Sequence, residues 1–251
     1  MNSKHLTIAA AVVTAATAIV VGPAFAQEAA AAAPAAATSN PYGFVHILER
    51  GNPVQLSILA VLVIMSIGTW YIAVMKFLEQ QRILTQAKIL EKKFWTSGTL
   101  SEGIEKLPKN SVFRAVAEAG HKASQGGTTL VGLNDWIAMS LTRQLEDANG
   151  RLAGGVSFLA SVGSTAPFVG LVGTVWGILE ALISIGVAGQ MSIDKVAGPV
   201  GEALIMTAIG LIAAVPAVLL YNLLIRRNKV ITEKLRGFAG DLQAYLITKS
   251  K

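Results

Sequence analysis

Glu202–Ile225 reads EALIMTAIGLIAAVPAVLLYNLLI. After the opening acid its 23 residues contain no Asp, Glu, Lys, Arg or His. A hydrocarbon layer of about 30 Å takes about 20 helical residues, so this run is long enough to cross one. Pro216 and Asn222 are its main interruptions. Glu202 is its most informative residue, because an acid inside a bilayer is costly unless it faces water, a partner or a proton path. Thr207 lies on the same segment and Thr174 on the apolar segment before it. A hairpin with one acid and two hydroxyls reads first as part of an ion path. The competing reading places Glu202 at the outer end of its helix, reaching the headgroups.

Two further runs match it. Val54–Met75 has 22 residues and Leu152–Leu179 has 28, both without a charge. The second exceeds the need and is expected to tilt or to project beyond the bilayer. The 251-residue chain has a mean hydropathy of +0.55 and 14% charged residues, too apolar for an ordinary soluble domain. The predicted class is an all-α integral membrane protein with three transmembrane helices, long cytoplasmic helical extensions and a helical bundle. There is no cysteine, which excludes disulfides, thiolate nucleophiles and Cys-based metal sites. The net charge of +6 does not point to nucleic acid, since the basic residues flank the apolar runs.

Residues 1–26 resemble a cleavable signal peptide, with Lys4, the short apolar run Leu6–Val21 and the small-x-small site Ala24-Phe25-Ala26. An Ala/Pro-rich leader and short N-terminal segment follow over 27–53. The remaining divisions are 54–75, 152–185 and 199–225 for the spans, 76–151 and 226–251 for helical regions on one side, and 186–198 for a loop on the other. Residues 76–151 hold 11 Lys/Arg and residues 226–251 hold seven. The segment 27–53 has only Arg50, and 186–198 only Lys195. The basic side is predicted cytoplasmic, so the mature N-terminus and the 186–198 loop face the periplasm and the C-terminus the cytoplasm.

Helical spacing continues outside the spans. Ile83, Ala87, Leu90 and Phe94 extend the first span as an amphipathic helix. Ser124-Gln125-Gly126-Gly127-Thr128-Thr129 predicts a loop. Asn134 is the expected cap of a helix running through Arg143 and Glu146 into span two. Ile231, Leu235, Phe238, Leu242 and Tyr245 form a heptad seam, suited to a helix of its own domain or of a neighbouring subunit.

Gly170, Gly173 and Gly177 let helices approach closely, so packing is the simplest reason for them. Pro167 and Pro216 each remove a backbone donor and are expected to mark kinks. A threonine hydroxyl suits a water-lined path, or bonds its own helix backbone. Glu180, near the outer end of span two, is a possible secondary acid, pairing with Glu202 or reaching the interface. Enzyme readings fail: His5, His46 and His121 lie outside the spans, no span contains Asp, and no Gly-Lys-Ser/Thr loop is present. No metal or cofactor is expected. Three helices cannot enclose a pore, so a path needs several copies or a partner helix.

Ala166-Pro167-Phe168-Val169-Gly170-Leu171-Val172-Gly173-Thr174-Val175-Trp176-Gly177-Ile178 resembles the second-span signature of the ExbB/TolQ/MotA proton-channel family. Gly201-Glu202-Ala203-Leu204-Ile205-Met206-Thr207-Ala208-Ile209-Gly210-Leu211 resembles its third-span signature, and Ala213-Ala214-Val215-Pro216-Ala217 with Tyr221-Asn222 extends the match. The resemblance is strongest to the TonB-energising ExbB branch. It implies a homopentamer around a central pore in the inner membrane of a Gram-negative bacterium. Its implied partners are an ExbD-like single-span proton-carrying subunit and a TonB-like energy transducer. The implied work is the use of proton-motive force for iron–siderophore and other nutrient uptake. Thr174 and Thr207 match pore-lining threonines of the family, and Glu202 matches its third-span Glu. A TolQ-like role in the Tol-Pal envelope system is the alternative, and a passive scaffold subunit is the alternative of another class. Glu180 stands where a neutral polar residue is expected, so the resemblance assigns it no role.

Overall fold

The computed structural model describes residues 52–126, 131–188 and 193–249, the side chains at 91–93, 188, 193–195 and 249 excepted. The expected signal peptide and nearly all of the leader lie outside those residues. Among the described residues there are six helices and no strand: α1 (Pro53–Lys93), α2 (Leu100–Glu105), α3 (Val112–Gln125), α4 (Leu133–Ala153), α5 (Val156–Ala188) and α6 (Ile193–Lys249). The all-α membrane class is therefore what the chain adopts. Three stretches are long and apolar enough to cross a membrane: Pro53–Leu90, Leu133–Val187 and Val196–Thr248.

The start of α1 follows from two residues. Asn52 Oδ1 accepts from the Val54 N–H at 3.3 Å. Pro53 occupies the first helical position, where its missing N–H has no intrahelical role. The helix then runs unbroken to Lys93, as the spacing of Ile83, Ala87, Leu90 and Phe94 predicts.

One expectation about α4 is corrected and one is qualified. Its cap is Gly132, not Asn134: the Trp136 N–H bonds the Gly132 carbonyl at 2.9 Å, so the backbone ladder begins there and Asn134 lies inside the first turn. The helix reaches the first two residues of span two, as expected, but does not continue through it. It ends at Ala153, and Gly155 takes φ 81° before α5 begins. Glycine is the weakest helix former after proline and adopts positive φ without a Cβ clash, so the pair Gly154-Gly155 is a natural stop. The predicted loop at 124–129 begins later than expected. Ser124 and Gln125 close α3, Ser124 Oγ bonding the His121 carbonyl at 2.7 Å, and residues 127–130 lie outside the described ones.

The chain divides into two compact units. Among the described residues the first combines 52–74 with the stretch from 157 to 221, and the second the stretch from 75 to 156 with 222–249. In the second, Ile83, Ala87, Leu90 and Phe94 share one core with Phe113, Val116, Ile137, Leu141, Ile231, Leu235, Phe238 and Leu242. The tail's heptad seam therefore packs within its own unit, the first of the two readings its spacing allows. Phe94, Phe113 and Phe238 meet edge to face around this core. Gln80 is fully buried there and donates to the Leu224 carbonyl at 3.0 Å and Asn228 Oδ1 at 2.7 Å.

In the first unit, Ile58 and Leu62 of α1 pack with Val162 and Ala166 of α5 and with Ala213, Ala214 and Ala217 of α6. The outward side chains of the same helices are also apolar. Ile64, Phe168, Val175, Leu182, Leu204 and Leu219 are all more than half exposed. A surface of this kind suits lipid or neighbouring helices rather than water.

Candidate functional site

The sequence-predicted residues gather along the seam between α5 and α6, within the first unit. Small side chains set the distance. A methyl placed on Gly170 would lie 2.7 Å from the Met206 carbonyl oxygen and 3.1 Å from Thr207 Cα. One on Gly210 would lie 2.7 Å from the Ala166 carbonyl oxygen. Gly173 faces the Met206 side chain and Gly177 the Ala203 methyl, each at 2.8 Å from such a methyl. At Gly170 and Gly210 backbone touches backbone, which only glycine permits.

That proximity brings the two threonines together. Thr207 Oγ1 donates to Thr174 Oγ1 at 3.4 Å. Thr174 in turn donates to the Leu171 carbonyl of its own helix at 2.7 Å. The backbone-bonding reading thus holds for Thr174, yet its oxygen still receives the second hydroxyl. Each hydroxyl has one proton and two lone pairs. The Thr207 proton is committed to Thr174, which leaves the Thr207 oxygen to accept from water or from a protonated partner. Thr174 is buried and Thr207 half-buried.

Glu202 lies five residues before Thr207, buried with 9% exposure, next to the Ala203 methyl that meets Gly177. Glu180 has a partner the sequence did not suggest: Asn52 Nδ2 donates to its Oε1. That bond ties the entry of α1 to α5. Three residues on, Gln55 is 3% exposed. Its Oε1 accepts from the Asn52 N–H at 3.4 Å, and its Nε2 would lie 3.3 Å from a methyl on Gly177. Sequence reasoning passed over Asn52 and Gln55. The available signal was that Gln55 is the one amide side chain within the uncharged run 54–75.

Pro167 lies inside α5, and Pro216 inside α6, as does Pro199; the helices continue through all three. Pro216 lines an apolar groove of about 600 Å³ with Trp70, Ile212, Val215 and Leu219. Among the described residues no group of three His, Cys, Asp or Glu side chains stands close enough to hold a metal ion.

Comparison with known proteins places the chain. Residues 108–237 match the MotA/TolQ/ExbB proton channel family. The chain is 37% identical to the biopolymer transport protein ExbB of Xanthomonas campestris pv. campestris, over 87% of this chain and 96% of that one. It is 36% identical to ExbB of Neisseria meningitidis, over 81% and 96%. It is 31% identical to the Tol-Pal system protein TolQ of Pseudomonas aeruginosa, over 81% and 92%.

Proposed function

This chain belongs to the MotA/TolQ/ExbB proton channel family, and from that premise we propose that it couples proton-motive force to a TonB-like transducer. Through the transducer it drives outer-membrane receptors that import iron–siderophore complexes and other scarce nutrients. It is a multi-pass inner-membrane protein and a transport subunit rather than an enzyme. The basic segments 76–151 and 226–251 support a cytoplasmic C-terminus, with the N-terminus and the 186–198 loop in the periplasm.

One observation carries the reading: the hydroxyls of Thr174 on α5 and Thr207 on α6 meet across a seam closed by glycines, and α6 also carries buried Glu202. A structural seam needs only the glycines. Two hydroxyls and an acid add a polar lining, and a bilayer tolerates one where it serves a path. Thr174, Thr207 and Glu202 are assigned as that lining.

A single chain leaves Phe168, Val172, Val175 and Leu204 exposed. We assign these faces to lipid and to neighbouring copies in a homopentamer. Its pore would be filled by the span of an ExbD-like subunit, whose acid would exchange protons past Glu202. The likeness to TolQ supports a second reading, service of the Tol-Pal system, with lower identity than to ExbB. Neighbouring genes for TonB-like or TolA-like transducers separate the two.

The deciding experiment is growth of a Glu202→Ala strain on scarce iron, with siderophore uptake measured at normal protein level. Lost uptake is expected. Full uptake would leave a passive scaffold role instead.

A further inference from the structure

Glu180 has no part in the lining assigned above, yet it stands on the same seam. α1 follows α5 in step: Asn52 bonds Glu180, Gln55 Nε2 would lie 3.3 Å from a methyl on Gly177, and Ile58 Cγ2 would lie 3.5 Å from one on Gly173. α6 follows α5 in the same steps, with Ala203 against Gly177 and Met206 against Gly173. Each step is three or four residues, one helical turn of about 5 Å. Glu202 adjoins Ala203 and so stands near the level of Gly177 and Gln55. Glu180 lies within one turn of that level, on the side of the 186–198 loop.

Gln55 supplies an independent observation. It is 3% exposed, and its Oε1 accepts from the Asn52 N–H. Among the described residues no acceptor takes the two protons of its Nε2, which is placed beside Gly177. Buried donors without an acceptor are costly, so an amide here calls for a polar species between the helices. Other ionisable groups are sparse. Residues 53–75 hold no Asp, Glu, Lys, Arg or His, 156–188 hold only Glu180, and 196–225 hold only Glu202. Tyr71 and Tyr221 lie toward the opposite ends of their spans. His46, Glu49 and Arg50 precede α1, and Asp194 and Lys195 open α6, all with side chains outside the described residues.

On the proton-coupling role given above, we propose that Glu180 is the outer proton-binding group of the path, and that Asn52 and Gln55 of α1 complete its lining. The Glu180 carboxylate takes a proton from periplasmic water. Asn52 Nδ2 bonds Oε1 and so orients the carboxyl, leaving Oε2 to receive that proton. A water held on Gln55 Nε2 carries the proton inward to the Glu202 carboxylate, and the Glu180 carboxylate is restored. α1 is then a wall of the path rather than a support outside it.

The test measures siderophore uptake in cells that carry the whole assembly, in media from mildly acidic to mildly alkaline, at matched protein level and oligomer yield. Glu180→Gln keeps an acceptor for Asn52 but cannot bind a proton. Its uptake is expected to fall about tenfold in alkaline medium, less than the roughly 100-fold effect of a positioned acid–base group, because water offers a slower parallel route. The deficit is expected to shrink in acid medium, where protons reach Glu202 unaided. Glu180→Asp, which still titrates, should keep most of the uptake. Gln55→Leu should lower uptake while the melting temperature of the purified protein holds or rises, since an unpaired buried amide is replaced by an apolar side chain of similar size. A bond that merely ties α1 to α5 predicts wild-type uptake in Glu180→Gln at every pH. That result, beside lost uptake in Glu202→Ala, overturns the role of Glu180 and leaves the coupling role standing. A deficit equal at every pH overturns it too. Full uptake in Glu202→Ala removes the coupling role, and the outer relay with it.

Discussion

The Thr207 hydroxyl donates to the Thr174 hydroxyl across the α5–α6 seam at 3.4 Å, and Thr174 donates its own hydrogen bond to the Leu171 carbonyl. The two side chains are therefore not equivalent. Thr207→Val removes the donor to Thr174 and the open acceptor. Thr174→Val removes the oxygen that orients Thr207. An unmade hydrogen bond at a buried site costs roughly 1–3 kcal/mol, or about five- to a hundredfold in a rate. Siderophore uptake is expected to fall in both variants within that range, at unchanged oligomer yield. Full uptake in both would remove the hydroxyls from the path.

Gly170→Ala tests the seam itself. Its methyl would press on backbone atoms of α6, the Met206 oxygen and Thr207 Cα, which cannot rotate away. Gly201→Ala has open space around it and gains helix propensity, by roughly 0.5–1 kcal/mol. Thermal unfolding of the purified protein should drop for the first and hold or rise for the second. Equal melting temperatures would mean that the helices separate readily.

The Asn52–Glu180 bond predicts a coupled pair. Hydrogen bonds to charged groups contribute about 1.5–3 kcal/mol, less where partly solvated. Asn52→Ala and Glu180→Ala should each destabilise the protein, and the double variant should cost less than their sum. Glu180→Gln keeps an acceptor and should retain most of the stability. Additive losses in a double-mutant cycle would show that the two side chains act independently.

Glu102 gives a pH signature outside the membrane. A hydrogen bond from Lys106 and the charge of that ammonium, at 2.7 Å, hold its carboxyl below the ordinary carboxylate range. The folded state therefore favours the ionised form. The resulting stabilisation is present above the unfolded value of 4.5 and is lost as pH falls through the lower folded value. Because both side chains are exposed to solvent, the effect is small and salt-sensitive. Melting curves of wild type and Glu102→Gln should differ slightly at neutral pH in low salt and converge in acid. A difference that grows on acidification would reverse the sign.

Orientation has its own test. A cysteine at Ser192 should react with an impermeant thiol reagent applied to cells with a permeabilised outer membrane, and one at Ser124 should not. The reverse pattern would invert the chain in the bilayer.

The three long apolar runs are unambiguous in sequence because length and the absence of charge determine a span without reference to tertiary contacts. The grouping of Thr174 and Thr207 with Glu202 was legible from one acid and two hydroxyls on an otherwise apolar hairpin, and the family signature singles out the same residues. Their spacing along separate helices says nothing about register, which the backbone contacts at Gly170 and Gly210 set. Asn52 and Gln55 escaped notice for a related reason: polar side chains at a helix entry look like caps until it is known that Asn52 bonds Glu180, 128 residues away, and that Gln55 lies beside Gly177. The break before α5 was missed because Gly154-Gly155 sits inside an apolar run, where glycine is common and most often serves packing.

Gly170 and Gly210 have a mechanical consequence. Where two helices are spaced by long side chains, rotamer changes let them slip past each other by small steps. Here the α5 and α6 backbones interlock with no side chain between them to yield. Such a joint has almost no compliance. If proton passage moves anything within this protein's assembly, α5 and α6 travel as one stiff beam, and the sliding surface must be sought elsewhere, against whatever their outward apolar faces meet.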